Sequence, residues 1–406
     1  MILKHSWITG VHNYLYPSPI STPFMNILCI NPSVSMRAYR QMGALSEAGN
    51  RVDLFYLNYG GSIKEVDESF LNRRQRIEKM NYPLSHIPRT LIPASFKKEI
   101  SWIVRNGDYD IIFAHSMPDI IGVASKRYSD LPVVFDVRDM VSSFGKIDII
   151  KNYIPRTLLK YGPVKSIGEA TFYRGVLRME REALETSDGR TFVSDYNLTL
   201  AEKKYDLPPD NNLVFYNYAM EKDMREGPGK LSETDGELHI VYQGVISSTG
   251  YRAPLLDLFK KITGMGINMH IYGIGDEEVK KRYRDVSRSD NLLHFNEAVS
   301  QEKLMWELTK YDYGIIPFNP PESEREHFDT MMPNKLFDYL VAGLPVIAPD
   351  SVALKRFVTR ERCGTIYHRI EDLNPEELED TPKIERENYT IERHIGRMEA
   401  LFRKLI

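Results

Sequence analysis

The feature that most constrains this chain is an alternation of short apolar runs with amphipathic stretches. It begins near residue 26, breaks off after residue 219, and begins again at residue 238. The first run, Asn26-Ile-Leu-Cys-Ile-Asn31, is short and almost wholly apolar, and the turn formers Pro32 and Ser33 follow it. A strand buried on both faces of a parallel sheet has that composition. Residues 36–48 carry a helical period that Gly49 and Asn50 stop, and residues 51–57 are apolar again. Strand, helix, strand in that order is a βαβ unit. More strands are expected at 110–115, 131–137, 190–194 and 214–217, with helices over 117–128 and ending near 187. Between 220 and 236 charges, Gly227, Pro228, Gly229 and Gly236 replace the period, which predicts a linker. Strands then return at 238–244, 267–273, 292–295, 313–317 and 345–348, with helices over 254–264, 301–309, 335–342 and 391–406. The predicted class is α/β, with one domain over 1–219 and a second over 237–390. The last helix is expected to cross back to the first domain. Ligands of such open sheets sit outside the C-terminal ends of the strands.

Composition serves mainly to remove alternatives. There are 53 Lys and Arg against 56 Asp and Glu, a net charge of -3, so nothing draws the whole chain to nucleic acid. Cys29 and Cys363 are far apart and fit neither a disulfide framework nor a zinc site. No run reaches the ~20 apolar residues of a spanning helix. Residues 1–23 lack the apolar core of a signal peptide, so a cytoplasmic protein is expected. One stretch departs from the average. Residues 145–178 hold Lys146, Lys151, Arg156, Lys160, Lys165, Arg174 and Arg178 against only Asp148 and Glu169, with aromatic and aliphatic residues between them. That mixture suits peripheral contact with anionic lipid at the inner face of a membrane; it equally suits a basic face packed on a core.

The chemistry concentrates in residues 330–348. Pro333 and Asn334 are placed to open a helix, with Lys335 in its first turn. The helix dipole disfavours a cation there, but a bound anion reverses that, because free N–H groups and an ammonium both favour phosphate. Asp338 lies one turn on, on the same face, where a carboxylate can accept hydrogen bonds from ribose hydroxyls. A plain amphipathic helix with a solvated Lys and Asp has the same spacing, so spacing alone leaves both readings open.

Pro333, Lys335, Leu336, Tyr339, Gly343, Pro345 and Val346 together resemble the donor-site pattern Pro-x-Lys-Leu-x-Glu-Tyr-x-x-x-Gly-x-Pro-Val of family 4 glycosyltransferases, in particular an O-antigen aminosugar transferase-like subgroup. Asp338 stands where that pattern has Glu. Thr330 stands where many relatives carry a second Glu. The resemblance continues in residues 243–252, where relatives hold a diphosphate with Arg and Lys. Here no basic residue lies between Gly244 and Gly250, and Arg252 is the nearest substitute. Gly273-Ile-Gly275 matches the family's next glycine turn, and a plain turn explains it equally well. In the first half the Arg138-Asp139 pair matches the family at a strand end, and His115 ends an earlier strand. Asp139 has the chemistry to take a proton from an acceptor hydroxyl and equally to hydrogen-bond the donor sugar; a loop-shaping ion pair is the third reading. Arg37 and Arg40, on the first helix, are placed to touch an acceptor phosphate, but solvated helix charges are the favoured expectation.

The resemblance implies the GT-B fold: two Rossmann-like domains facing across a cleft. It also implies transfer of a hexose or aminosugar from a nucleotide-diphosphate sugar, UDP- or GDP-linked, to a glycan or lipid-linked acceptor in polysaccharide or glycolipid synthesis. No cofactor, no metal and no nucleic acid are expected. A nucleotide-sugar epimerase of related fold and a non-catalytic nucleotide-sugar-binding relative are the alternatives.

Overall fold

A computed structural model describes residues 24–57, 69–76, 94–117, 119–146, 162–318, 320, 322–378 and 381–406. The first half is built on strands β1 (Asn26–Asn31), β2 (Arg51–Tyr56), β3 (Arg73–Arg76), β4 (Ile111–His115), β5 (Val133–Val137), β6 (Gly189–Phe192) and β7 (Asn212–Val214). They pair in parallel in the order β3-β2-β1-β4-β5-β6-β7. The second half holds β8 (His239–Val245), β9 (Asn268–Ile274), β10 (Leu293–Asn296), β11 (Tyr313–Ile315), β12 (Val346–Pro349) and β13 (Gly364–Tyr367). These are also parallel, in the order β10-β9-β8-β11-β12-β13. Strand order reverses between β1 and β4 and again between β8 and β11. Each reversal opens a crevice at the C-terminal strand ends.

The helices of the first half are α1 (Met36–Glu47), α2 (Ala94–Asn106), α3 (Ile120–Arg127), α4 (Gly162–Thr186) and α5 (Asp195–Lys204). Those that follow are α6 (Ser232–Asp235), α7 (Leu255–Thr263), α8 (Glu277–Ser289), α9 (Gln301–Leu308), α10 (Arg325–Thr330), α11 (Asn334–Val341), α12 (Val352–Glu361) and α13 (Ile395–Leu405). Central strands are apolar on both faces and fully buried, as with Ile27, Leu28, Cys29 and Ile30 of β1. Two first-half helices that border the site are capped by serines. Ser35 accepts from the Ala38 N–H at the start of α1, and Ser194 from the Asn197 N–H at the start of α5.

The terminal helix does cross back. On α13, Phe402 packs edge-on to Phe113, ring centroids 5.2 Å apart, and Glu399 accepts from Asn50 Nδ2 at 2.8 Å. Several expected bounds move by one to four residues; the last helix starts at Ile395 because Ile391 is taken by an N–H bond to the Ala219 carbonyl. The segment expected as a linker is pinned in place. Leu231 N–H reaches the Lys310 carbonyl at 2.9 Å, and Arg386 Nη2 reaches the Arg225 carbonyl at 2.7 Å. The two halves share a hydrophobic core in which Tyr216 stacks on Phe337 and meets Phe357 edge-on. Two hydrogen bonds stitch the same seam: Ser194 Oγ to the Thr330 carbonyl at 2.8 Å, and Asn217 Nδ2 to the Met332 carbonyl at 2.5 Å.

Among the described residues no helix is long and apolar enough to cross a membrane. Of the basic stretch, Lys151, Arg156 and Lys160 lie outside the described residues. Lys146 is placed with its ammonium 5.7 Å from the centroid of the Tyr173 ring.

Candidate functional site

The strand ends of the two halves face each other across a groove of about 380 Å³. The second half contributes Tyr242, Gln243, Gly244 and Val245 from the end of β8. It also contributes Arg252, Phe318, the run from Met331 to Lys335, and Asp338. The first half contributes Ser35, Arg37, Arg138, Asp139, Val193 and Asn217. Nine residues named from the sequence therefore line one space: Arg37, Arg138, Asp139, Gly244, Arg252, Pro333, Asn334, Lys335 and Asp338. His115, Gly273, Gly275 and Thr330 do not line it.

Lys335 is the focus of the second-half wall. Pro333, in an extended conformation, caps α11, and Leu336 N–H turns back to the Pro333 carbonyl at 3.1 Å. The N–H groups of Asn334 and Lys335 have no carbonyl one turn back within the helix and point out of its end. The Lys335 ammonium lies 4.1 Å from the centroid of the Tyr242 ring. It has no hydrogen bond or ion pair among the described residues. Burial, and then the nearby Arg252 guanidinium, pull its pKa down to about 7, against a weaker opposite pull from Asp338. Gly244, at φ +138°, makes room for it: a Cβ there would stand 2.9 Å from Lys335 Nζ. The Asn334 side-chain oxygen is buried nearby without a partner among the described residues.

The first-half wall corrects the expectation for α1. Arg37 and Arg40 are buried, not solvated. Arg37 grips Asp136 through Nη2 at 2.7 Å and Nε at 2.9 Å, and Nη1 donates to the Phe215 carbonyl and to Asn217. Burial alone would raise the Asp136 carboxyl. The Arg37 charge and the His115 and Arg37 hydrogen bonds overcome that and hold it well below the usual carboxylate range. Arg40 crosses between the halves, with Nη2 2.6 Å from Asp338 Oδ1. Gln243 Nε2 donates to the other Asp338 oxygen at 3.0 Å. Asp338 thus joins the halves while also facing the groove. Arg138 and Asp139 form an ion pair at 2.9 Å, with side chains 41% and 24% exposed, so both remain open to a ligand.

The residues outside the groove have structural employment. His115 is buried with Nδ1 3.3 Å from Asp136, supporting that carboxylate. Gly273 and Gly275 let the loop after β9 lie on Ile246; a Cβ on Gly275 would come 2.8 Å from the Ile246 carbonyl oxygen. Thr330 is buried, and its hydroxyl bonds the His327 carbonyl in its own helix. An Asp-x-Asp triplet, Asp108-Tyr109-Asp110, precedes β4 at the opposite end of the sheet from the groove. There Asp110 accepts from the Asn26 N–H and Tyr109 donates to Asp53. No cluster of three or more metal-ligating side chains occurs among the described residues. Sequence reasoning missed Ser35, Asn217, Tyr242 and Phe318 as groove residues. Their only sequence signal is position at the end of a strand or at a helix cap.

Comparison with known proteins bears on both halves. Residues 34–218 match the Glycosyltransferase Family 4 model, and residues 252–404 match the model for the C-terminal domain of glucosyltransferase 3-like proteins. The sucrose-phosphate synthase of Thermosynechococcus elongatus superposes with a TM-score of 0.60 at 13% identity, over 94% of this chain and 99% of that one. The chain is a GT-B glycosyltransferase. The catalytic domain of starch synthase IV from Arabidopsis thaliana, solved with ADP and acarbose, superposes on this glycosyltransferase with a TM-score of 0.55 at 10% identity, covering 94% and 99% of the two chains. A putative UDP-N-acetylglucosamine 2-epimerase from Listeria monocytogenes gives 0.53 at 12% identity over 94% and 96%. The fold alone therefore does not separate transferase from epimerase, whereas the two sequence models name transferases. No curated protein sequence matches the chain.

Proposed function

We propose that the groove binds a nucleotide-diphosphate sugar, UDP- or GDP-linked, with its pyrophosphate against the N-terminus of α11. The enzyme then transfers a hexose or aminosugar to a glycan or lipid-linked acceptor. One observation carries this reading: the Lys335 ammonium sits at that helix end with Arg252 beside it and no counter-charge bonded to it. A diphosphate supplies the missing charge, and free helix N–H groups bind the same oxygens. In transfer, the acceptor oxygen forms a bond to the anomeric carbon while the bond from that carbon to the β-phosphate oxygen breaks. Negative charge gathers on the departing diphosphate, where Lys335, Arg252 and the α11 amides stabilise it. Asp139, across the groove, takes the acceptor proton, and Arg138 holds its carboxylate in place. No step needs a metal or an organic cofactor. The basic and aromatic composition of residues 145–178 suits an acceptor held at an anionic membrane.

The test is a thermal-shift screen with UDP, GDP, CDP, ADP and their sugars. At least one nucleoside diphosphate should raise the melting temperature, because it binds only the folded chain. No shift with any of them would remove the donor site. For the chemistry, Asp139→Asn should lower turnover by roughly 10²–10⁴ with donor affinity kept, the usual range for a lost general base. Unchanged turnover would remove Asp139 from the reaction.

A further inference from the structure

The loop that carries Arg138 and Asp139 is held from two sides. From its own half, Ser116 Oγ accepts the Arg138 N–H at 3.0 Å. Glu180 of α4 accepts the Ser142 N–H at 3.0 Å, and Lys204 of α5 donates to the Ser142 carbonyl at 2.9 Å. From the other half comes α10. His327 Nδ1 lies 3.2 Å from Ser143 Oγ, and its ring stacks on Phe144 with centroids 3.9 Å apart and planes at 26°. The neighbouring Glu326 reaches Lys204 at 2.5 Å, so the same lysine bridges α10 and the Ser142 carbonyl. Charge on Asp139 and Arg138 is felt at His327, which places the three within electrostatic reach.

The far end of α10 runs directly into the second-half wall. Thr330 ends the helix, and Met331, Met332 and Pro333 then line the groove up to Lys335. One short element thus touches the loop of Asp139 at His327 and the pyrophosphate end of α11 four residues after its last turn. The Thr330 carbonyl accepts from Ser194 and the Met332 carbonyl from Asn217, so the element is clamped to the first half along its length.

We infer that His327 is a positioning residue: α10 acts as a strut by which the sugar-donor half sets the Asp139 loop of the acceptor half. The inference rests on the reading of Asp139 and Lys335 given above. A ring stacked on Phe144 and bonded to Ser143 fixes both the height and the rotation of residues 141–144. Asp139 is two residues before that turn. Donor bound at Lys335 settles 331–335, and the strut carries that ordering to the group that takes the acceptor proton.

The test uses the full chain and two variants, His327→Ala and His327→Gln. Hydrogen–deuterium exchange of the peptide covering 139–144 needs no substrate. His327→Ala should raise exchange of the Ser143 and Phe144 amides roughly tenfold, the loss expected for one hydrogen bond and one ring contact. Exchange in α11 should stay as in the wild type. His327→Gln, which keeps a group able to bond Ser143, should recover much of the protection. Turnover is read as UDP release from UDP-glucose, or GDP release from GDP-mannose if only that donor is accepted. His327→Ala should lower kcat about tenfold with KM for the donor unchanged. Wild-type exchange in His327→Ala would overturn the inference, and so would a raised KM at unchanged kcat. If Asp139→Asn keeps full turnover while His327→Ala loosens the loop, the strut stands as a structural fact and the catalytic reading of Asp139 is what fails.

Discussion

The two walls of the groove treat charge in opposite ways. On the acceptor wall, Arg37 is buried against Asp136 in a bidentate pair and Arg40 is buried against Asp338. On the donor wall, Lys335 rests on a tyrosine ring and faces open space. Charge that is matched inside the protein builds the scaffold. Charge left unmatched at a helix end awaits a ligand. The contrast matters because all three side chains are cations on short helices at strand ends, and residue type alone does not tell them apart.

The largest expected effect comes from treating both walls to the same change. Arg37→Met leaves the buried Asp136 carboxylate without its guanidinium, held among the described residues only by His115, Gln41 and Thr191, and should cost about 3–5 kcal/mol of folding stability, read from the urea midpoint. A midpoint within error of the wild type would show that the pair does not hold the acceptor wall. Lys335→Met is next, and its effect should fall elsewhere. Stability should hold or rise, because a shielded ammonium is removed, while nucleoside-diphosphate binding weakens by roughly 1.5–3 kcal/mol in calorimetry. Equal affinity in the two proteins would erase the contrast.

The smallest effect is a proton. Burial and Arg252 bring the Lys335 pKa down to about 7, below its unfolded value of about 10.4, so the unfolded chain binds more protons between those limits. Its contribution to stability should therefore rise as pH increases from 7 toward 10. An anion at the helix end restores the charged form. Binding at about pH 8.5 should then take up close to one proton, seen as a dependence of binding heat on the ionisation enthalpy of the buffer. No dependence would mean that the ammonium and the ligand do not meet.

What the sequence made legible follows from the range over which each cause acts. Helix and strand periods are local, so β1, α1, β8 and the crossing helix could be read directly. The run from Pro333 to Val346 was legible because a helix start, a lysine and a glycine stop lie within one short stretch. Arg73–Arg76 was not, since a strand written Arg-Arg-Gln-Arg has no apolar pattern, and among the described residues it is a sheet edge paired to β2 alone. The burial of Arg37 and Arg40 was out of reach as well. Their partners lie 99 and 298 residues away, and nothing near α1 announces them. Thr330 illustrates the same limit from the other side. Position in a family pattern suggested a donor contact, but packing turns its hydroxyl into its own helix. Asp338 keeps its place in the groove but carries a second duty that only the three-dimensional neighbour Arg40 reveals.

A crystal structure of the full chain with UDP or GDP, whichever raises the melting temperature more, tests the central claim most directly. A phosphate oxygen is expected within about 3 Å of Lys335 Nζ, with the Asn334 or Lys335 N–H on the same phosphate. A nucleotide bound with its phosphates away from the start of α11, or seated outside the groove, would contradict it.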